Sequence, residues 1–138
     1  MIKKRPLGLK IFGISLLIWS FICIYVNSLN IIAVGRPFIQ YFKYIFISTD
    51  LLIIVQSMLY LIINILFFIN AIRILKLKSY AIKELFILIV LNEIVYFSTN
   101  FLIMHNLSLA FKYSKFTLLI WIIVVYYFTR PRIKTYFA

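Results

Sequence analysis

The sequence predicts an all-α membrane protein in which four transmembrane helices form one domain over residues 1–138. Hydrophobic residues make up 65% of the chain and charged residues only 13%, whereas a soluble domain is about half apolar and about a quarter charged. The apolar residues also fall into four long runs, which short basic segments separate. A chain of 138 residues cannot bury so large an apolar fraction in its own core. Lipid is therefore the expected solvent and the bilayer the expected partner.

The four apolar runs predict transmembrane helices over residues 11–29, 51–72, 85–104 and 112–129. Crossing a hydrocarbon core of about 30 Å takes about 20 apolar residues, and the first three runs are long enough. The fourth run is long enough if its helix begins near Leu109 and the side chains of Lys112 and Lys115 extend toward the interface. The first run follows a basic segment but lacks a small-residue cleavage site, which predicts an uncleaved anchor.

The distribution of positive charge predicts the orientation. The N-terminal segment, the second connection and the C-terminal segment hold most of the Lys and Arg residues, and the first and third connections hold few. The positive-inside rule places the more basic side in the cytoplasm. We therefore expect an inner-membrane protein with both termini cytoplasmic. The net charge of +12 does not predict nucleic-acid binding, because the basic residues flank the apolar runs and do not form one face.

The first outside connection, residues 31–49, predicts a short helix that lies in the membrane interface. Gly35, Arg36 and Pro37 are typical of a helix stop followed by a restart. The residues after them place apolar side chains on one helical face, with tyrosine and lysine at headgroup level, as an interfacial helix does. The alternative is an aromatic-rich loop packed over the bundle.

Contacts between the helices are expected to come from large apolar side chains. The three glycines, Gly8, Gly13 and Gly35, do not form a GxxxG pair, which predicts wider spacing than glycine-mediated packing gives. At the cytoplasmic boundary Glu84 is expected to form an ion pair with Arg73, Lys76 or Lys83, and such exposed pairs contribute about 0–1 kcal/mol.

Glu93 is the most informative polar residue because it lies near the middle of the third apolar run. A charge at the bilayer centre costs about 2.5–3.5 kcal/mol on insertion scales, so Glu93 should face the bundle, find partners or stay protonated. Asn64 lies about as far from the basic flank of the second helix as Glu93 lies from that of the third, so the two side chains should have a similar depth in the membrane. This predicts an Asn64–Glu93 hydrogen bond across the second and third helices. The candidate intramembrane polar cluster also includes Asn92 and Gln56.

Other chemistry finds little support in the sequence. The single cysteine, Cys23, and the single histidine, His105, exclude an intramolecular disulfide and a zinc site of the usual cysteine–histidine spacing. We find no nucleophile–base pair, no phosphate-binding loop and no metal-ligand spacing. We therefore expect no catalytic residues, no metal, no cofactor and no enzymatic activity.

Both ends of the chain carry short motifs. Arg5-Pro6-Leu7-Gly8 leads directly into the first run, and Tyr127-Phe128-Thr129-Arg130-Pro131-Arg132-Ile133-Lys134 closes the last. These stretches resemble the ends of small prokaryotic four-helix membrane proteins of unknown function, although Arg132 stands where those proteins often have an acidic residue. The resemblance implies an inner-membrane protein with cytoplasmic ends, and it implies no activity.

Two functions remain open at this point. One is a structural or accessory membrane subunit that binds partner helices, either of other membrane proteins or of a second copy. The alternative is a small transporter or ion pathway that uses the carboxylate of Glu93, since intramembrane acids often mark transport paths. The first hypothesis is favoured, because no second acid or internal basic residue completes a relay in the sequence.

Overall fold

The computed structural model describes residues 6–41, 49–104 and 107–137, and over these ranges the chain is helical and contains no strand. The helices, in chain order, are α1 (Leu7–Tyr41), α2 (Thr49–Leu75), α3 (Ala81–Met104), α4 (Leu107–Thr129) and α5 (Pro131–Lys134). Three stretches are long and apolar enough to cross a membrane, namely Leu7–Ala33, Leu51–Leu75 and Ala81–Leu102. In α4 the corresponding apolar stretch is shorter, Thr117–Thr129. The all-helical fold class is thus confirmed, and three of the four predicted spans coincide with helices that are long and apolar enough to cross a membrane.

The long helices are apolar on almost every side. Only 22%, 28% and 22% of the most hydrophobic window is buried in α1, α2 and α3, and large side chains such as Trp19, Ile62 and Ile122 are largely exposed. A helix that turns apolar residues to its surroundings on all sides is stable in lipid and not in water. The exposed surface therefore agrees with the membrane environment that the composition predicts.

Successive helices pack side by side. α1 contacts α2, α2 contacts α3, α3 contacts α4, and α5 contacts α4. Aromatic side chains tie α4 back to the first two helices: the rings of Phe12 and Phe128 are 4.9 Å apart, and those of Phe67 and Trp121 stack at 5.6 Å. The helices therefore form an antiparallel bundle. Contacts between α1 and α4 are made by long side chains, because the two backbones are not close to each other.

The core is concentrated at one end of this bundle. α1 begins, α2 ends, α3 begins and α4 ends there, and the buried apolar cluster draws on all four segments, as Leu9, Ile74, Leu85 and Phe128 illustrate. Within the described ranges, eight basic residues mark the same end: Lys10, Arg73, Lys76, Lys78, Lys83, Arg130, Arg132 and Lys134. We call it the basic end. Charges that are far apart in sequence are thus brought together around the best-packed part of the bundle.

The closest approach of two helices, between α1 and α2, uses small side chains. A Cβ atom added to Gly13 would lie 2.6 Å from Cδ2 and 2.7 Å from Cγ of Leu75, so the leucine occupies the space that the glycine leaves. Ser20 on α1 and Ser57 and Ala71 on α2 are also buried. The expectation that large side chains hold all the helices apart is therefore wrong for this pair, because isolated small residues allow close packing without a GxxxG motif.

Replacing Gly13→Ala tests this contact. Overpacking typically costs about 1–3 kcal/mol, and the better helix propensity of alanine returns about 1 kcal/mol. We expect the free energy of unfolding in mixed micelles to fall by about 1 kcal/mol. In a Leu75→Ala background the added methyl group has room, so the same replacement should become neutral or stabilising. Equal effects in the two backgrounds would contradict the contact.

The turn between α2 and α3 is made without glycine. Lys78 N–H donates to the Arg73 carbonyl at 3.0 Å and Leu77 N–H to the Ile74 carbonyl at 3.0 Å. This pair of bonds is the Schellman arrangement that closes a helix. Leu77 takes the left-handed position, with φ of 54°, where glycine is usual. Its half-buried side chain packs on the core, so apolar packing offsets a backbone cost of roughly 1–2 kcal/mol.

The predicted break at Gly35 and Pro37 is wrong. α1 continues through both residues to Tyr41, and no described glycine has positive φ. Pro37 removes one backbone hydrogen bond, a loss that membrane helices tolerate. The first half of the expected interfacial helix is therefore an extension of α1, and the remainder, residues 42–48, lies outside the described residues.

The C-terminal segment packs under the basic end. Pro131 opens α5 at its first turn, where a missing N–H costs nothing. Ile133 and Phe137 are buried, and the ring of Phe137 is 6.3 Å from that of Phe128. This segment therefore contributes to the core as well as carrying positive charge, which its basic composition alone did not indicate.

Candidate functional site

Many polar side chains of the described helices bond to their own backbone. The residues Ser20, Asn27, Ser28, Asn64, Thr99 and Asn100 each donate to the carbonyl four positions earlier, at 2.6 to 2.9 Å. Such local bonds satisfy a donor in a medium that offers no water. They also leave the carboxylates as the groups that must find partners on another helix, because an ionised carboxylate has no proton to donate.

Glu93 finds its partner on α4. Its Oε2 accepts a hydrogen bond from Thr117 Oγ1 at 3.2 Å, whereas its Oε1 is buried without a hydrogen-bond partner. The side chains of Trp121 and Asn92 are the other donors near this carboxylate, but neither completes a hydrogen bond to Oε1. Glu93 therefore connects α3 to α4 and keeps one acceptor unsatisfied inside the bundle.

The hydroxyl of Thr117 has one proton for two neighbouring oxygen atoms, which limits how Thr117 and Glu93 can bond. Thr117 Oγ1 also lies 2.9 Å from the Ser114 carbonyl, and a hydroxyl has one proton to donate. If Thr117 gives that proton to Ser114, the 3.2 Å contact needs a proton on Glu93. If Glu93 is ionised, the Thr117 proton must be shared between two acceptors. A neutral Glu93 thus completes a chain of hydrogen bonds from the carboxyl to the Ser114 carbonyl.

The predicted Asn64–Glu93 hydrogen bond is not formed. The Asn64 amide donates to the Tyr60 carbonyl at 2.7 Å, and Glu93 faces Thr117. The ion pair between α2 and α3 is made by Arg73 and Glu84, which lie nine positions from Asn64 and Glu93 respectively. Nine residues rotate a side chain by roughly two and a half turns, so the rotation that joins Arg73 to Glu84 does not join Asn64 to Glu93. Matching depth was not sufficient, because the rotation also has to match.

The remaining candidate residues lie around Tyr60. Gln56, one turn earlier on α2, and Thr99 of α3 approach the Tyr60 phenol, and Glu93 is close enough for its charge to act on it. The Tyr60 hydroxyl is nevertheless buried without a hydrogen-bond partner. Gln56 and Asn92 are half-buried. The predicted cluster is therefore split, with Gln56 beside Tyr60, Asn92 beside Glu93, and Asn64 bonded to its own helix.

Two site residues were missed by the sequence reading, Thr117 and Ser114 on α4. Ser114 is 2% exposed, and its Oγ, like Glu93 Oε1 and Tyr60 Oη, is buried without a hydrogen-bond partner. Their spacing of three residues places them on one helical face, and this is the signal that could have indicated them.

The second acidic residue of α3 joins it to α2 at the basic end. Arg73 Nη1 forms an ion pair with Glu84 Oε1 at 2.5 Å, which confirms the expected pair. The buried Asn70 amide donates to Glu84 Oε2 at 3.2 Å and to the Ala81 carbonyl at 2.9 Å. The guanidinium of Arg73 also lies 5.4 Å from the centre of the Tyr80 ring. Together, the ion pair and the Asn70 hydrogen bonds fix the register of α2 against α3.

Within the described ranges, no group of three His, Cys, Asp or Glu residues could hold a metal ion. Cys23 is a half-buried free thiol on α1, and His105 lies outside the described residues. Comparison with family models, with curated proteins and with solved structures finds no match for this chain. The resemblance of its two ends to small four-helix membrane proteins therefore stays a prediction.

Replacing Thr117→Val tests the α3–α4 contact. The methyl group keeps the volume and removes the donor, and we expect a loss of about 1–2 kcal/mol in unfolding free energy. Thr117→Ser keeps the hydroxyl and should cost less. In a Glu93→Leu background Thr117→Val removes only the bond to the Ser114 carbonyl, so the loss should be smaller. An undiminished loss in that background would mean that Glu93 and Thr117 do not interact.

Proposed function

We propose that this chain is a multi-pass inner-membrane protein with four spans and cytoplasmic termini, and that it serves as a structural or accessory subunit that binds partner helices. The observation that carries this proposal is the hydrogen bond between Glu93 and Thr117. This bond joins Glu93, the acidic residue in the middle of α3, to α4 inside the bundle. Many of the other polar side chains bond to their own helix, and the outward surface of the helices is apolar and exposed, so this surface is the part we expect to bind partner helices.

The fourth span is supported by the length of α4. Its 23 residues cover about 34 Å at 1.5 Å per residue, which exceeds a hydrocarbon core of about 30 Å. Lys112 and Lys115 are exposed near its start, where long side chains can reach the interface. The orientation is supported by the eight basic residues gathered at the basic end, because positive charge is retained on the cytoplasmic side.

A small transporter or ion pathway is the second candidate, and one observation favours it. Glu93 Oε1, Tyr60 Oη and Ser114 Oγ are all buried without hydrogen-bond partners. Buried polar atoms normally have a protein or water partner. Water, a proton or a cation held among these three side chains would satisfy them, and intramembrane acids mark such pathways.

Thiol accessibility separates the two candidates. Glu93→Cys is introduced in a Cys23→Ser background, and intact and inside-out membranes are treated with a membrane-impermeant thiol reagent. We expect no reaction from either side, because the side chain at this position packs against α4. An Arg36→Cys variant in the same background should react from outside only. Reaction of the thiol at position 93 would establish water access and favour the transport candidate, and reaction of the thiol at position 36 from inside would reverse the orientation.

Photo-crosslinking tests the subunit role directly. A photoreactive amino acid replaces Ile122, which is 64% exposed on α4, and the full chain is irradiated in its native membranes. We expect one discrete crosslinked product that contains a second polypeptide, either another protein or a second copy. The same amino acid in place of the buried Ser20 should give crosslinks within the chain only. Products with lipid alone, at Ile122 and also at Trp19 and Ile62, would refute the role.

A further inference from the structure

A groove runs between α2 and α3 at the basic end. One wall comes from Leu66 and Ile69 of α2, and the other from Ile87, Leu88 and Leu91 of α3, while Arg73 and Glu84 lie at one end. Its volume is about 230 Å³. Pockets for small molecules usually measure about 300–1,000 Å³, so this groove suits one hydrocarbon chain better than a compact ligand.

The groove opens toward the surroundings of the bundle. Ile87 is 60% exposed, and Leu66, Ile69 and Leu91 are also exposed. All these residues lie in helical stretches that are apolar enough to cross a membrane, so the surroundings at this depth are acyl chains. Arg73 lies near the end of the second stretch, Leu51–Leu75. The polar end of the groove is therefore at the level of the lipid headgroups.

The charge at this polar end is positive. Glu84 is neutralised by Arg73 and accepts a further hydrogen bond from Asn70. Lys76 lies in the turn that follows α2, three positions after Arg73. Lys83 lies in the first turn of α3, four positions before Ile87 and on the same helical face. Both lysines are exposed. Arg73 uses Nη1 for Glu84, which leaves other guanidinium donors for an anion.

We propose that this groove binds one anionic phospholipid, with an acyl chain between α2 and α3 and the phosphate held by Lys76, Lys83 and Arg73. An apolar channel that ends in clustered positive charge at headgroup depth complements such a lipid at both of its ends. Basic pockets between transmembrane helices bind anionic headgroups in this way. A zwitterionic lipid offers the same chain, but its own positive group opposes the lysines.

The test measures lipid binding to the purified full chain in mild detergent. Phosphatidylglycerol and phosphatidylcholine with identical dioleoyl chains are titrated separately, and native mass spectrometry counts the lipids that stay bound. We expect one saturable phosphatidylglycerol, with at least tenfold weaker binding of phosphatidylcholine. Lys76→Gln with Lys83→Gln should weaken phosphatidylglycerol binding by about tenfold or more, since each lysine near anionic headgroups contributes measurably.

The controls use matched positions. Lys10→Gln with Lys134→Gln removes two exposed lysines of the basic end that belong to α1 and α5, whereas the groove lies between α2 and α3, and binding should stay unchanged. Ile87→Trp should fill the groove and displace the lipid. Ile94→Trp replaces the same residue type on the same face of α3, at 56% exposure and outside the groove, and should leave binding intact.

Four results would overturn the proposal. Equal binding of the two lipids, or equal losses in the two lysine pairs, would remove the assigned headgroup site. Unchanged binding in Ile87→Trp would remove the acyl-chain site and leave only a basic surface. Full competition by millimolar inorganic phosphate would mean that the anion alone suffices. The lysine variants leave the core untouched, so the proposal can still be refuted if Ile87→Trp does not fold.

Discussion

A carboxylate inside a helix cannot be satisfied by the backbone of that helix, because the N–H groups there already bond to carbonyls of the helix, and this constraint organises the polar contacts of the bundle. Hydroxyl and amide side chains such as Ser20 and Asn64 turn back to a carbonyl of their own helix. An ionised carboxylate can only accept, so it has to reach a donor elsewhere. The two acids of α3 do so in opposite directions, Glu84 toward α2 and Glu93 toward α4. α3 is therefore the helix that connects the two halves of the bundle by polar contacts.

Apolar contacts complete the bundle by a different principle. Lipid tails are as apolar as leucine, so burying an apolar side chain between helices gains little solvation energy and the fit of surfaces decides the association. Gly13 and Leu75 provide such a fit between α1 and α2. The stacked rings of Phe67 and Trp121 provide one between α2 and α4. Both contacts need side chains whose shapes match. Between α1 and α2 the match is a small residue against a large one, which explains why small residues are buried there.

The fold class could be predicted from the sequence because it follows from composition, and composition needs no knowledge of partners. The ion pair of Arg73 and Glu84 was also predictable, since both lie at the boundary of their helices. The partner of Glu93 was not, because it depends on the rotation of α3 as well as on depth. The continuation of α1 through Pro37 was missed for a similar reason: a local stop signal does not reveal how well the surrounding medium tolerates a lost hydrogen bond.

The uneven placement of the core has a consequence for the motion of the bundle. Among the residues whose burial the structure describes, buried apolar side chains from α1 to α5 gather at the basic end, and few lie toward the other end, such as Ile54. Local opening is easiest where few buried contacts resist it. The helices should therefore separate first at the end away from the basic residues, with amide protons there exchanging sooner than those near Ala71 and Leu85. The basic end would then act as the fixed end of the bundle, and Glu93, midway along α3, would lie between it and the end that opens.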